Sequence, residues 1–215
     1  MPFLKKIEVE NGILGIWELT ESVDSLISGF QFSENEKLEF KKFALKKRQS
    51  EYLATRLLLQ NLLGEKAEII YHESGRPQIK NSVKNISITH SKNLAAIFIS
   101  DFLGGIDVEV ADRNIDKVAG RFLNPKELSW IEQSKNPKLL KMLFWCAKEA
   151  IYKCACQPGL QFDTQIFIPP FDFTNSNFFK GKVILENMIK NYDLWFFELE
   201  NNIAAYCVEV KNRIT

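Results

Sequence analysis

What most constrains this chain is the order of its helix-like and strand-like stretches. Helical patterning runs from about Ser33 to Leu63 and again from Asn136 to about Cys154, and each of these segments is followed by strand-like runs. The chain opens with two further β-like runs, Lys5 to Val9 and Ile13 to Leu19, split by the hairpin signal Asn11-Gly12. Strands and long helices interleaved in this way exclude an all-helical bundle and an all-β sandwich and predict an α+β fold. Two halves meet near Leu103 to Gly105, giving expected units of 1–103 and 104–215. Their sequences are not obviously similar.

Local signals sharpen the helix starts. Ser33-Glu34-Asn35-Glu36 has the form of a capping box, with a Ser cap and Glu at the third helical position. Asn124-Pro125-Lys126-Glu127 repeats the pattern with an Asn cap and Pro in the first turn. Glu68 to Tyr71 reads as a short strand, and Gly75-Arg76-Pro77 as a turn. Ile86-Ser87-Ile88-Thr89-His90, Leu94 to Ile99 and Ile106-Asp107-Val108-Glu109-Val110 read as further strands, and Gln165 to Val210 as strands joined by turns.

Composition narrows the function. Hydrophobic residues make up 46% of the 215, with 17 Phe and 4 Trp, which is ample for a sizeable core. Lys and Arg number 28 against 27 Asp and Glu, a net charge of +1, which argues against a charge-driven nucleic-acid or membrane-surface binder. The first residues contain no apolar signal-like region, and no apolar run approaches the roughly 18 residues of a membrane span. The four Cys include no C-x-x-C pair and there are only two His, so a zinc site is disfavoured. The expectation is a cytoplasmic protein with reduced thiols.

Two features carry candidate chemistry. Asp107 and Glu109, two apart in a strand, project to one face. Paired carboxylates either stand on a wetted sheet face or share a hard cation such as Mg²⁺. Along the helix through Trp145-Cys146-Ala147-Lys148-Glu149-Ala150-Ile151-Tyr152-Lys153, Glu149 and Lys153 lie one turn apart on a largely apolar side. His90 ends a strand just before a turn. Arg48 and Arg56 share a helix face, as a solvated stripe or as an anion clamp.

Taken in order, Gly75-Arg76-Pro77, Ile86 to Ser91, Gly105-Ile106-Asp107-Val108-Glu109, Arg121-Phe122 and Trp145 to Lys153 resemble the 4′-phosphopantetheinyl transferase superfamily. The chain length resembles the surfactin-synthetase-activating branch, a monomeric pseudo-dimer of two similar α+β halves with its active site between them. The resemblance implies transfer of 4′-phosphopantetheine from coenzyme A to a serine of an apo acyl or peptidyl carrier protein, releasing adenosine 3′,5′-bisphosphate. It also implies that Asp107, Glu109 and Glu149 hold Mg²⁺, and that Thr89 and His90 contact coenzyme A phosphates. By the same resemblance Arg48 and Arg76 hold the nucleotide end, Lys153 neutralises the pyrophosphate and Glu149 helps to deprotonate the serine. Thr89 stands where the family usually has Ser, Cys146 where it has Thr or Ser, and Glu39 where it often has a basic residue. A carrier is expected to dock near Arg113, Lys117 and Arg121, with Phe122 and Leu123 as apolar anchors. The alternative is a catalytically inactive coenzyme A- or carrier-binding protein of the same fold.

Overall fold

The computed structural model describes residues 3–210, so residues 1–2 and 211–215, the outer ends of the two expected units, lie outside it. Eleven strands and five α-helices make up the described residues. The first hairpin is β1 (Phe3–Val9) and β2 (Gly12–Glu18), with Val9 opposite Gly12. Gly12 is required by close approach, because a Cβ there would collide with the carbonyl oxygen of Ile99. Next come α1 (Val23–Ser28), α2 (Glu34–Phe40) and α3 (Lys46–Leu63), then β3 (Ile69–Tyr71), β4 (Pro77–Ile79), β5 (Asn85–His90) and β6 (Leu94–Ser100). The second part holds β7 (Gly104–Val110), a 3₁₀ turn at Asp116–Arg121, α4 (Pro125–Glu132) and α5 (Pro137–Ala155). It closes with β8 (Ile166–Phe167), β9 (Phe178–Leu185), β10 (Met188–Leu199) and β11 (Asn202–Val210).

The strands form two antiparallel sheets, ordered β1-β2-β6-β5-β4-β3 and β7-β11-β10-β9-β8. With β1 set aside, both have one connectivity: a strand, a helical stretch (α1 to α3 in the first, the 3₁₀ turn, α4 and α5 in the second), then four strands, with the last of these lying next to the first strand. The mixed α+β class is the one expected.

Three cores stack through the molecule. Trp17, Leu53, Leu58 and Ile97 belong to the one between α3 and the first sheet. Leu143, Ala147, Ile151 and Leu194 belong to the one between α5 and the second sheet. Between the sheets, Leu14, Ile16 and Phe98 meet Ile106, Val108 and Tyr206. Apolar burial on this scale, at about 25 cal/mol per Å², is the main stabilising contribution.

Both capping boxes form as expected. Ser33 Oγ accepts from Glu36 N and Glu36 Oε2 accepts from Ser33 N at 2.8 Å. Asn124 and Glu127 do the same on α4. The single helical region expected from Ser33 to Leu63 is divided, however. Phe40 and Phe43 both pack against Tyr52, with ring centroids 5.8 and 5.3 Å away, so the chain turns between α2 and α3 to bring both rings back. A strand, β4, also forms at the expected Gly75-Arg76-Pro77 turn: Gly75 takes a left-handed φ of 81°, and Pro77 pairs with Tyr71.

Candidate active site

The site begins with β7. Its free edge, on the side away from β11, meets the first sheet through a row of hydroxyls on β5. Ile106 N donates to Ser87 Oγ at 3.1 Å, Thr89 Oγ1 donates to Asp107 Oδ1 at 2.9 Å, and Ser91 Oγ donates to Asn202 Oδ1 at 3.2 Å. These side chains recur every second residue, so one face of β5 and of the residue that follows it supplies all three bonds, the first two to β7 and the third to Asn202 of β11. The other face carries Ile86 and Ile88 toward α3, and His90 Nε2 lies 2.8 Å from Thr55 Oγ1.

Over β7 runs α5. Gly105 lets it approach closely, since a Cβ there would collide with the Ala150 carbonyl. Lys153 therefore reaches back to the strand, donating to Ile106 O at 2.9 Å and to Asp107 Oδ1 at 2.8 Å. Of the three donors of an ammonium, this leaves one for a ligand oxygen. The alternation of β7 had offered a wetted face as one reading, but Asp107 is only 7% exposed. The reason is non-local: α5 covers one face of β7 and the first sheet covers the other. Glu109, half-buried, forms an ion pair with Arg113.

Glu149 lies among these groups. Burial, and after it the charge of Asp107, push its carboxyl up to about 7, and the opposing effect of Lys153 is smaller. A carboxyl raised first by burial and then by a neighbouring carboxylate gains from any added positive charge. Asp107 Oδ2 is buried and has no hydrogen-bond partner among the described residues. Among the described residues no group of three or more His, Cys, Asp and Glu is already arranged around a metal position. The ammonium of Lys153 and the guanidinium of Arg113 supply the counter-charge to Asp107 and Glu109 instead. Hard carboxylate oxygens, one of them orphaned, with a neighbouring acid raised in pKa, fit a divalent cation such as Mg²⁺.

Two connected clefts open onto this cluster. One, of about 850 Å³, is lined by Arg48, Thr89, His90, Asp107, Glu109 and Lys153, with Lys47, Lys92 and Arg113 nearby. The other, of about 460 Å³, is lined by Arg76, Ile86, Tyr71, Tyr152, Cys156 and Pro158, among others. They share Ile88, His90 and Lys153. Burial, opposed by the Glu51 charge and reinforced by Lys153 and Arg48, lowers the His90 imidazole to about 4, so it is neutral at pH 7. Arg48 Nη1 donates to Glu51 Oε2 at 2.7 Å, and Arg76 Nη2 donates to Asn85 Oδ1 at 3.0 Å. Seven of the eight candidate residues thus line one cleft or the other, while Glu149, one turn before Lys153 on α5 and subject to the Asp107 charge, lines neither.

Other expectations are corrected. Arg56 is no part of an anion clamp: it is 1% exposed, sits over the Tyr52 ring and pairs with Glu36 and Glu39. Glu39 is therefore engaged by Arg56 rather than by the clefts. Phe122 and Leu123, expected as docking anchors, are buried in the core beside α5. Beyond the expected site residues, Tyr71, Tyr152, Cys156 and Pro158 wall the smaller cleft. Cys156 ends α5 in a left-handed conformation and turns the chain there. The Pro158-Gly159 turn signal just beyond α5 was the available clue.

No helix among the described residues is long and apolar enough to cross a membrane. Residues 104–210 match the family described as the 4′-phosphopantetheinyl transferase superfamily. Among solved structures, the crystal structure of holo-[acyl-carrier-protein] synthase from Neisseria meningitidis has 22% sequence identity to this chain. That match covers 50% of this chain and 97% of the other, with a TM-score of 0.40. No curated protein matches the chain.

Proposed function

We propose that this chain, whose residues 104–210 carry a 4′-phosphopantetheinyl transferase superfamily domain, transfers 4′-phosphopantetheine from coenzyme A to a serine of an apo carrier protein. The other product is adenosine 3′,5′-bisphosphate. The observation that carries the reading is the convergence of Asp107, Glu149 and Lys153, all within the matched segment, beside clefts that also hold His90 and two arginines. The shared connectivity of the two sheets supports a pseudo-dimer plan of the surfactin-synthetase-activating kind, acting as a monomer with the site between its halves.

In this reading coenzyme A lies along the joined clefts. Arg48 and Arg76 hold its nucleotide end, and His90 and Lys153, common to both clefts, face its pyrophosphate. Asp107, Glu109 and Glu149 would hold Mg²⁺, which supplies charge neutralisation on the pyrophosphate oxygens when bound. The carrier serine oxygen forms a bond to the β-phosphorus, the bond from that phosphorus to the bridging oxygen breaks, and the adenosine bisphosphate leaves. Glu149 takes the serine proton, as a positioned carboxylate can in general base catalysis. Lys153, with one donor free, stabilises charge on the departing phosphate. Positioning and charge neutralisation of this kind dominate phosphoryl-type transfer.

The test is incubation with coenzyme A, Mg²⁺ and apo carriers from fatty-acid, polyketide and nonribosomal peptide systems, read by intact mass. A phosphopantetheine gain on any carrier is expected. Binding of coenzyme A without a gain on any of them would favour an inactive binding protein of the same fold.

A further inference from the structure

We infer that Thr89 is a positioning residue for the cation-holding acid rather than a ligand of the coenzyme, an inference that rests on the reading of Asp107 given above. The resemblance assigns the Thr89 hydroxyl to a phosphate of coenzyme A. In the structure that hydroxyl is already committed: Thr89 is 4% exposed, and Oγ1 donates to Asp107 Oδ1 at 2.9 Å. Lys153 donates to the same oxygen at 2.8 Å. Both donors thus hold Oδ1, while Oδ2 stays buried and, among the described residues, without a partner. A carboxylate held by one oxygen and bare at the other is oriented to offer its second oxygen to a cation.

The two donors are not equivalent. Lys153 brings a charge on a flexible stem that also lines both clefts, so a phosphate can compete for it. Thr89 brings a short, β-branched side chain with few rotamers, fixed on a strand of the other sheet. Its neighbours on the same face, Ser87 and Ser91, bond to Ile106 N on β7 and to Asn202 at the start of β11, so the backbone is held against the second sheet on either side of Thr89. Thr89 is therefore the donor that stays on Oδ1 when Lys153 turns to the substrate. Groups that orient a metal ligand are typically worth about 10–100-fold in metal affinity.

The test compares Thr89→Val, which removes the hydroxyl at constant shape, with Thr89→Ser, which keeps it. Mn²⁺ alone is titrated into the full chain and followed by electron paramagnetic resonance, and coenzyme A binding is measured separately by calorimetry in chelator. The expected result is Mn²⁺ affinity at least about tenfold weaker in Thr89→Val and within about twofold of the natural protein in Thr89→Ser, with coenzyme A affinity unchanged in both. Should Thr89→Val fail to fold, Thr89→Ala carries the same comparison. Unaltered Mn²⁺ binding in the variant lacking the hydroxyl, or a loss of coenzyme A affinity with Mn²⁺ binding intact, overturns the inference and leaves the acids' role standing. Absence of Mn²⁺ binding by the natural protein removes the metal assignment itself, and the inference with it.

Discussion

The helix–strand unit of the first half and that of the second are built alike and furnished differently. In the first, α3 packs on β2 at Gly15, where a Cβ would press on Leu58 and Leu62; in the second, α5 packs on β7 at Gly105, where it would meet Ala150 and Cys154. Two residues beyond each glycine, on the same face of the strand, stand Trp17 and Asp107. One residue before Leu58 and before Ala150 stand Leu57 and Glu149. Trp17 and Leu57 share an apolar core. Asp107 and Glu149 share an electrostatic field instead. One frame thus yields a packed core on one side and an acidic site on the other, and the difference lies in a few side chains rather than in the backbone plan.

The supports beneath the two helices differ as well. Each helix buries a cation against the third-position Glu of the capping box before it: Arg56 against Glu36, and Lys148 against Glu127. The second pair is saturated. Lys148 Nζ donates to Glu127 Oε2, Phe162 O and Ile166 O at 2.7–2.8 Å, and Ile168 N donates to Glu127 Oε1. In the first pair, Arg56 Nε and Glu36 Oε1 lie 3.5 Å apart and neither finds a hydrogen bond among the described residues. The tighter clamp sits in the half that bears the acids, and it ties down the segment after α5 that also walls the smaller cleft.

The largest expected effect comes from breaking that clamp. Lys148→Met leaves a buried carboxylate and two carbonyls with fewer donors, and removing one partner of a buried pair costs about 3–5 kcal/mol. Arg56→Met, in the looser pair, is expected to cost clearly less. Urea denaturation of both variants checks the order, and equal losses would erase this contrast between the halves.

Next in size is the chemistry itself. Glu149→Gln keeps the shape of the side chain and is expected to slow transfer by at least about 10²-fold, with coenzyme A still bound. Leu57→Met, at the matching position on α3, is a volume-conserving apolar swap and is expected to leave the transfer rate within about twofold. Single-turnover kinetics on a modified carrier compares them directly.

A smaller difference is expected at the two glycines. Gly105→Ala sets a methyl against the backbone of α5 and is expected to cost about 3 kcal/mol, at the upper end of overpacking, whereas Gly15→Ala meets the movable ends of two leucines and is expected to cost about 1 kcal/mol. Thermal melts at one pH decide it.

A further effect, read as a pH dependence and not as a loss at one pH, concerns His90, which faces Thr55 and Glu51 from α3 and Lys153 from α5. Its imidazole is lowered from an ordinary 6.5 to about 4, so the unfolded chain binds the proton first. Its share of stability is whole above pH 6.5 and is lost as pH falls toward 4, a tenfold difference in proton affinity between folded and unfolded chains being worth about 1.4 kcal/mol. His90→Gln should flatten the stability profile over that window, and an unchanged slope would remove His90 as its source.

The local signals were legible in the sequence. Caps at Ser33 and Asn124 and the alternation through Val110 needed only neighbours in the chain, and the structure has them. What the sequence concealed depends on contacts across the fold. Asp107 alternates like a residue of a wetted strand, yet α5 and β5 close over it from opposite sides. Lys148 adjoins Glu149, but a step of one residue turns it about 100° around the helix, into the core and onto Glu127. Lysine is seldom fully buried, so composition alone hides that pair. Phe122 looks like a surface anchor beside basic residues, but it joins the core beside α5, with the Trp145 ring 5.1 Å away.

The most direct measurement of the central claim is the release of adenosine 3′,5′-bisphosphate alongside carrier modification, with coenzyme A, Mg²⁺ and an apo carrier, for the natural protein and for Asp107→Asn. The proposed transfer requires one bisphosphate released per carrier modified by the natural protein, and a rate at least about 10²-fold lower for the variant. Equal rates from the two proteins, or modification without bisphosphate release, would contradict it.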